Sequence, residues 1–68
     1  MNERIIDTIR TKYQYEMKNA VSKISIELEK PNKDSVEEID SWVDVFSRTK
    51  EKASYFEAIL KNLKGEEE

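Results

Sequence analysis

A single proline divides this chain into two halves of similar length. Pro31 is the only proline among 68 residues, and there is also only one glycine. Proline pushes the residue before it out of the α-helical region and cannot continue a helix, so a helix should end just before Pro31. Elsewhere the chain is rich in Glu, Lys, Ile and Leu, which favour helix. We therefore predict a single all-α domain of two helices joined by a turn at about residues 31–34.

The residues after the proline carry a helix start signal. Ser35 and Glu38 fit the S-x-x-E capping box, in which each side chain satisfies a free backbone N–H of the first turn. Asp34 and Glu37 offer the same signal one residue earlier. We predict helix 1 over about 3–30 and helix 2 over about 35–64. Gly65 is expected to end helix 2, with residues 65–68 forming a frayed acidic tail.

Apolar residues recur every three or four positions in both halves, which is the helical period. The first stripe contains Ile6, Ile9, Tyr13, Met17, Ala20, Ile24 and Leu28. The second stripe contains Val36, Ile39, Val43, Phe46, Thr49, Ala53, Phe56, Leu60 and Leu63. A short connection between helices of matched length predicts an antiparallel hairpin. In this hairpin Leu28 faces Val36, Val21 faces Val43, and Tyr13 falls opposite Lys50 and Glu51.

Residues 24–29 also fit a different structure. Ile24-Ser25-Ile26-Glu27-Leu28-Glu29 alternates apolar and polar residues, which is the period of a β-strand. No second segment of the chain has this pattern, so such a strand would have to pair with another copy. A short strand at about 24–29 that pairs between subunits is therefore the alternative to a continuous helix 1.

A lone two-helix hairpin needs a further source of stability. Domains of this size usually add disulfides, a structural metal or a partner subunit. The chain has no cysteine and no histidine, which removes disulfides and the commonest metal ligands. We therefore expect a homo-oligomer, most simply a dimer that forms a four-helix bundle, with no cofactor and no metal.

Several large apolar residues fall outside the predicted seam between the helices. Trp42 and Val45 are predicted to flank it on opposite sides, and Tyr55 lies beside it. Aromatic residues are enriched in protein interfaces and in their energetic hot spots. The candidate residues for an interface with another copy or a protein target are Tyr15, Ile26, Trp42, Val45, Phe46, Tyr55 and Ile59.

Catalysis has little support in the residues present. Without His or Cys, a serine nucleophile would need a Lys or a carboxylate as its base, and one glycine excludes a Gly-rich phosphate loop. Glu37, Asp40 and Asp44 share a face of helix 2 and could in principle hold a cation. We favour a solvated acidic face that forms ion pairs with Lys18 and Lys23 of helix 1. The prediction is that the chain is not an enzyme.

The function predicted from these features is that of a small regulator or inhibitor that binds an unidentified protein target. The acidic face suits occupation of a basic site on such a target, and the composition is typical of short bacterial or phage regulatory proteins. No apolar run is long enough to cross a membrane. Because residues 1–7 lack the apolar core of a secretory signal, we expect a cytoplasmic protein without membrane contact.

Nucleic-acid binding by helix 1 is the alternative function. Arg4, Arg10, Lys12 and Lys18 accompany Tyr15, a combination of basic and aromatic residues that suits stacking on bases. Residues 1–30 contain six basic and five acidic residues, net +1, whereas residues 31–68 contain six and ten, net −4. The acids interleaved in helix 1 interrupt any basic stripe, so nucleic acid is the less favoured partner.

Overall fold

The protein is an antiparallel hairpin of two long helices. The computed structural model describes residues 1–67, with side chains through residue 65. It contains α1 (Glu3–Glu29) and α2 (Ser35–Glu67), which pack against each other over a hairpin of 55 × 18 × 11 Å. The prediction of an all-helical hairpin is confirmed.

The strand alternative for residues 24–29 is wrong. This segment is the last part of α1, and the described part of the chain contains no strand. Ile24 and Glu27 are three residues apart and half-buried, whereas Ile26 and Leu28 are exposed. Residues three or four apart share a helix face, so a helix buries Ile24 and Glu27 together.

Local hydrogen bonds and Pro31 explain where α1 begins and ends. Asn2 is the residue before the helix, and its side-chain oxygen accepts a hydrogen bond from the Ile5 N–H at 3.1 Å. This satisfies one of the backbone donors that a helix start leaves unpaired. At the other end, the Lys30 N–H donates to the Ile26 carbonyl at 3.1 Å, and Pro31 follows.

The turn uses Ser35 differently from the predicted capping box, and that prediction is wrong. The Asn32 N–H donates to Ser35 Oγ at 2.7 Å, and Ser35 Oγ donates to Glu27 Oε2 at 2.7 Å. The Asp34 N–H donates to Asn32 Oδ1 at 2.8 Å, which is an Asx turn. The Glu38 N–H donates to the Asp34 carbonyl at 3.0 Å, so α2 starts after Asp34. Because Glu27 accepts the Ser35 hydroxyl, the turn is tied directly to α1.

The C-terminal end of α2 also differs from the prediction. The helix passes through Gly65 and reaches Glu67. A glycine ends a helix by adopting a left-handed conformation, and Gly65 does not have a positive φ. Residues 65–67 of the predicted frayed tail are therefore helical, and residue 68 lies outside the described residues.

The seam of α2 is shifted from the predicted apolar stripe in the part next to the turn. Its buried and half-buried residues repeat with alternating spacings of four and three. They are Ser35, Ile39, Trp42, Phe46, Thr49, Ala53, Phe56 and Leu60. Val36 and Val43 keep 80% and 50% exposure, so the prediction that they pack in the seam is wrong. Their positions are taken by Ser35 and Trp42.

Two polar residues form part of this seam. Ser35 and Thr49 are buried in the seam, where each donates its hydroxyl to a carboxylate of α1. Ser35 Oγ donates to Glu27 Oε2 at 2.7 Å, and Thr49 Oγ1 lies 3.4 Å from Glu16 Oε2. Buried polar groups need such partners, so these bonds allow Ser35 to occupy a seam position beside an exposed valine.

Tyr13 meets an aromatic partner rather than the charged residues predicted opposite it. Its ring packs edge-on against Phe56, with 6.4 Å between the ring centroids and an interplanar angle of 77°. Edge-to-face packing brings together the positive edge of one ring and the negative face of the other. The prediction that Tyr13 lies opposite Lys50 and Glu51 is therefore wrong.

Candidate protein-binding face

The hairpin buries little of its own apolar surface. Among the residues with described side chains, the buried apolar ones are Ile6, Ala20 and Leu60, and no large side chain is fully enclosed. Twelve large apolar side chains keep between 37% and 80% of their surface exposed. They are Met1, Ile5, Tyr15, Val21, Ile26, Leu28, Val36, Val43, Val45, Tyr55, Ile59 and Leu63.

Most of these exposed residues fall on two opposite faces of the hairpin. Trp42 is a seam residue, and the residue one position later, Val43, lies on one side of the seam. The residue three positions later, Val45, lies on the other side because each step turns the helix by about 100°. The same rule holds at every seam position of both helices. Exposed apolar residues one position after a seam residue lie on one face of the hairpin, and those three positions after a seam residue lie on the opposite face.

The first face is built around Trp42. One groove is bordered by Lys23, Ile26, Glu27, Glu38, Ser41 and Trp42. A second is bordered by Tyr15, Glu16, Asn19, Trp42, Val45, Arg48, Thr49 and Lys52. Because Trp42 borders both grooves, they form one continuous surface. We call this surface the Trp42 face.

The Trp42 face continues to the end of the hairpin away from the turn. Tyr55 and Ile59 follow Lys52 by three and seven residues and therefore share its side of α2. On α1, Ile5 precedes Ile26 by three groups of seven residues and lies on the same side. The face therefore carries exposed apolar residues along the whole hairpin.

Six of the seven predicted interface residues lie on the Trp42 face, and Phe46 is half-buried in the seam. Trp42 itself is half-buried in the seam at the edge of this face. The prediction that Trp42 and Val45 lie on opposite sides is wrong, because both border one groove. The alternating spacings of four and three from Ser35 to Leu60 are the signal in the sequence that makes Trp42 a seam residue and places Val45 beside the seam.

The opposite face is apolar only in the half next to the turn. Val21 and Leu28 follow seam residues of α1 by one position, and Val36 and Val43 do the same in α2. All four are at least half exposed. We call this surface the Val43 face. Apolar spacing in the sequence favours these residues as seam positions, so it does not reveal this surface.

An ion pair occupies the other half of the Val43 face. Arg10 Nε and Nη2 donate to the two carboxylate oxygens of Glu57 at 2.8 and 2.7 Å. Arg10 Nη1 also lies 3.9 Å from Asp7 Oδ1. The hydrogen bond from Arg10 is the main reason that the pKa of Glu57 is below its ordinary value. This half of the face is therefore charged and internally paired.

A pair of carboxylates, Glu27 and Glu38, lies at the turn end of the Trp42 face. The hydrogen bond from Ser35 is the main cause that lowers the pKa of Glu27. Glu38 shares a hydrogen bond with Glu27, and this bond together with repulsion between the two carboxylates raises the pKa of Glu38. The pair therefore takes up a proton more readily than an isolated glutamate.

The acidic residues Glu37 and Asp44 are exposed along the outer side of α2, and Asp40, one position after the seam residue Ile39, is exposed on the Val43 face. Asp44 Oδ2 lies 3.1 Å from Arg48 Nε of the same helix. The prediction of ion pairs from this face to Lys18 and Lys23 is wrong, because the interhelical ion pair in the described part of the chain is Arg10–Glu57. Among the side chains described, those of residues 1–65, no group of three acidic residues is arranged to hold a metal ion.

The basic residues of α1 divide between two positions. Arg10 is bound to Glu57, whereas Arg4, Lys12 and Lys18 are exposed together with Tyr15. Two acids that interrupt the basic pattern in the sequence, Glu16 and Glu27, are half-buried in the seam and hydrogen-bonded to α2. The outer side of α1 is therefore more basic than the sequence alone indicates.

No protein-family model, curated protein or solved structure matches this chain. Neither α1 nor α2, over the residues described, combines the length and the apolar character that a membrane crossing requires. The arguments about function therefore come from the residues and surfaces of the hairpin.

Proposed function

We propose that this protein is a small regulator or inhibitor that acts through protein–protein contacts as a homo-oligomer. The observation that supports this most strongly is the ratio of buried to exposed apolar residues. Three apolar side chains are buried within the hairpin, and twelve large ones remain exposed in the described part of the chain. Burial of such surface drives both folding and association. A hairpin with so little core is completed by another polypeptide.

The kind of exposed residue supports a specific interface. Trp42 borders two grooves at the turn half of its face, with Tyr15 and Val45 beside it. Trp and Tyr are the residues in which interface energy concentrates, especially when neighbouring contacts exclude water. Arg48 and Lys52 form part of the polar border of the same grooves. An aromatic centre with a polar border is the usual anatomy of a protein interface.

The target is identified by affinity capture with the full chain from extracts of the source cell. We expect the chain to retain a defined protein, and nuclease treatment should leave this retention unchanged. The double variant Arg4→Glu/Lys18→Glu, which changes only the outer side of α1, should retain the same protein. Val45→Lys, which changes the Trp42 face and thereby disrupts the homo-oligomer in which the protein acts, should retain at most about a tenth as much. Recovery of nothing above background would overturn the proposal.

Nucleic-acid binding is the second candidate, and one observation favours it. With Glu16 and Glu27 engaged in the seam, few acids lie near the exposed basic residues of α1: Arg4 and Lys18 are on its outer side, and Lys12 is on the Trp42 face with Tyr15. This candidate predicts binding to single-stranded nucleic acid that weakens steeply with salt. It also predicts that the double variant Arg4→Glu/Lys18→Glu abolishes binding. A titration at two salt concentrations separates the candidates.

A further inference from the structure

We propose that a second copy of this chain covers the Trp42 face, with the two turns at the same end of the dimer. In this arrangement α1 of each subunit lies against α2 of its partner. The proposal rests on the self-association in the proposed function and specifies its surface and its symmetry. A face used in the same way by both subunits is what a two-fold dimer requires.

The dimensions of the face fit a dimer. A specific interface buries about 800 Å² on each partner. The hairpin measures 55 × 18 Å across its faces, so one covered face is large enough. The Trp42 face carries exposed apolar residues at both ends, from Ile26 near the turn to Ile59 near the termini. The Val43 face cannot present apolar residues at both ends, since the Arg10–Glu57 ion pair occupies half of it.

Two face-to-face arrangements are compatible with a two-fold axis. When the axis runs parallel to the helices, the turns lie together and α1 lies against α2 of the partner. When the axis runs across the helices, the turns lie 55 Å apart at opposite ends, and like helices lie together. Both place neighbouring helices antiparallel, so the helix dipoles do not distinguish them.

Charge distinguishes the two arrangements. Residues 1–30 carry +1, and residues 31–65, with six basic and seven acidic residues, carry −1, so turns at the same end place helices of unlike net charge side by side. The opposite arrangement places the two α2 helices, of like net charge, together. Like charges facing each other across an interface cost free energy and select against that partner orientation.

The charged residues in the middle of the Trp42 face also favour the arrangement with the turns at the same end. Arg48 and Lys52 border the central groove on α2, opposite Glu16 on α1. With the turns together, the central groove of one hairpin meets the central groove of the other, so Arg48 and Lys52 approach Tyr15 and Glu16 of the partner subunit. With the turns apart, Arg48 and Lys52 meet the same two cations of the partner subunit. The second contact is repulsive.

The apolar residues also meet in the arrangement with the turns together. Near the turn, Ile26 and Trp42 border one groove from different helices, so a dyad parallel to the helices places Trp42 against Ile26 of the partner subunit. At the other end, Ile59 of α2 meets Ile5 of the partner's α1. Large apolar residues therefore meet at both ends of the interface.

Distances between spin labels on the full chain test this arrangement. The described residues include no cysteine, so single-cysteine variants carry one label per subunit. Lys33→Cys places the label in the turn, and Ser47→Cys places it near the middle of α2 on an exposed side chain. Neighbouring helices pack about 8–10 Å apart, so labels at corresponding turn positions should lie within about 30 Å. Ser47→Cys should give a short distance in either arrangement and reports that a dimer is present.

The outcomes separate the failure of this proposal from the failure of the proposed function. A short distance at residue 33 together with a short distance at residue 47 supports the arrangement. A distance at residue 33 near the 55 Å length of the hairpin, with a short distance at residue 47, overturns the orientation and leaves the dimer intact. Absence of any intersubunit distance, with a monomer by sedimentation, overturns self-association itself.

Discussion

The two faces of the hairpin differ in how far their apolar surface extends. The Trp42 face has exposed apolar residues from Ile26 near the turn to Ile59 near the termini. The Val43 face has them only near the turn, because Arg10 and Glu57 pair over its other half. Exposed apolar area is therefore not equivalent on the two sides. Only the continuous face can support full-length packing against another hairpin.

The difference between the two faces also shows which apolar residues remain exposed after self-association. A dimer through the Trp42 face leaves Val21, Leu28, Val36 and Val43 accessible on both outer sides. Changes on the Trp42 face should affect the dimer strongly, and matched changes on the Val43 face should affect it weakly. The following variants test this difference in order of expected effect.

Trp42→Ala should have the largest effect. Truncation of a Trp that is buried on association costs about 3 kcal/mol or more, which weakens the dimer by more than about 100-fold. Val36→Ala is the control on the other face, and it should change the dissociation constant less than about threefold because Val36 is highly exposed. Sedimentation equilibrium measures both constants. Equal effects of the two variants on the dissociation constant would contradict the proposed difference between the two faces.

Val45→Lys and Val43→Lys form a matched pair on one helix. A lysine at residue 45 places a charge in the central groove beside Arg48 and Lys52, so the dissociation constant should rise about ten- to 100-fold. A lysine at residue 43 lies on the other side of the seam, remains solvated and should leave the constant within about threefold. If Val43→Lys is the more damaging variant, the second copy occupies the Val43 face instead.

Glu57→Gln should have a smaller effect on stability, of a few degrees in Tm at most, because the pair with Arg10 is half exposed. Since Arg10 lowers the pKa of Glu57, the stabilisation is present above its ordinary value of 4.5 and is lost as pH falls through the lowered pKa. The difference in Tm between wild type and variant should therefore disappear at low pH and shrink in high salt. Thermal unfolding at several pH values and salt concentrations measures it. A difference that persists in acid would contradict this account.

Glu38→Gln should have the smallest effect, with the opposite sign. The raised pKa of Glu38 means that the folded state binds its proton more tightly, so wild-type stability rises as pH falls through that raised value. A glutamine donates to Glu27 without the repulsion, so Tm at pH 7 should rise by about 2 °C or less. Glu37→Gln, one residue away on the outer side, is the control and should not reproduce the rise. A fall in Tm for Glu38→Gln would show that the two carboxylates do not repel.

Much of the fold could be predicted from local signals. Pro31 marks the turn, and residues at helical spacing mark both helices to within a residue or two of their start. The C-terminal end could not be read from Gly65, because glycine permits a helix to end but does not force it to. The bounds of a helix are set by its hydrogen bonds as much as by its breakers.

The positions of the two faces were harder to predict because polar residues occupy the seam. Apolar spacing alone favours Val36 and Val43 as seam residues, and each lies one position after the true seam residue, Ser35 or Trp42. The bond from Ser35 to Glu27 lies between residues eight apart across the turn, so no helical period reveals it. Apolar patterning therefore identified Trp42, Val45 and Tyr55 as interface candidates but misplaced the side on which Trp42 and Val45 lie.

The central claim is that the hairpin completes its core only by association, and the dependence of Tm on chain concentration tests this most directly. Folding coupled to dimer formation makes Tm rise with concentration by mass action. Unfolding is followed by helical circular dichroism and by the emission of Trp42, the only tryptophan in the chain. We expect Tm to rise steadily over a 100-fold range of concentration, estimated at about 10 °C in total for a chain of this size. A cooperative transition at the same Tm across that range, from a monomer whose Trp42 already emits as if shielded from water, would contradict the claim.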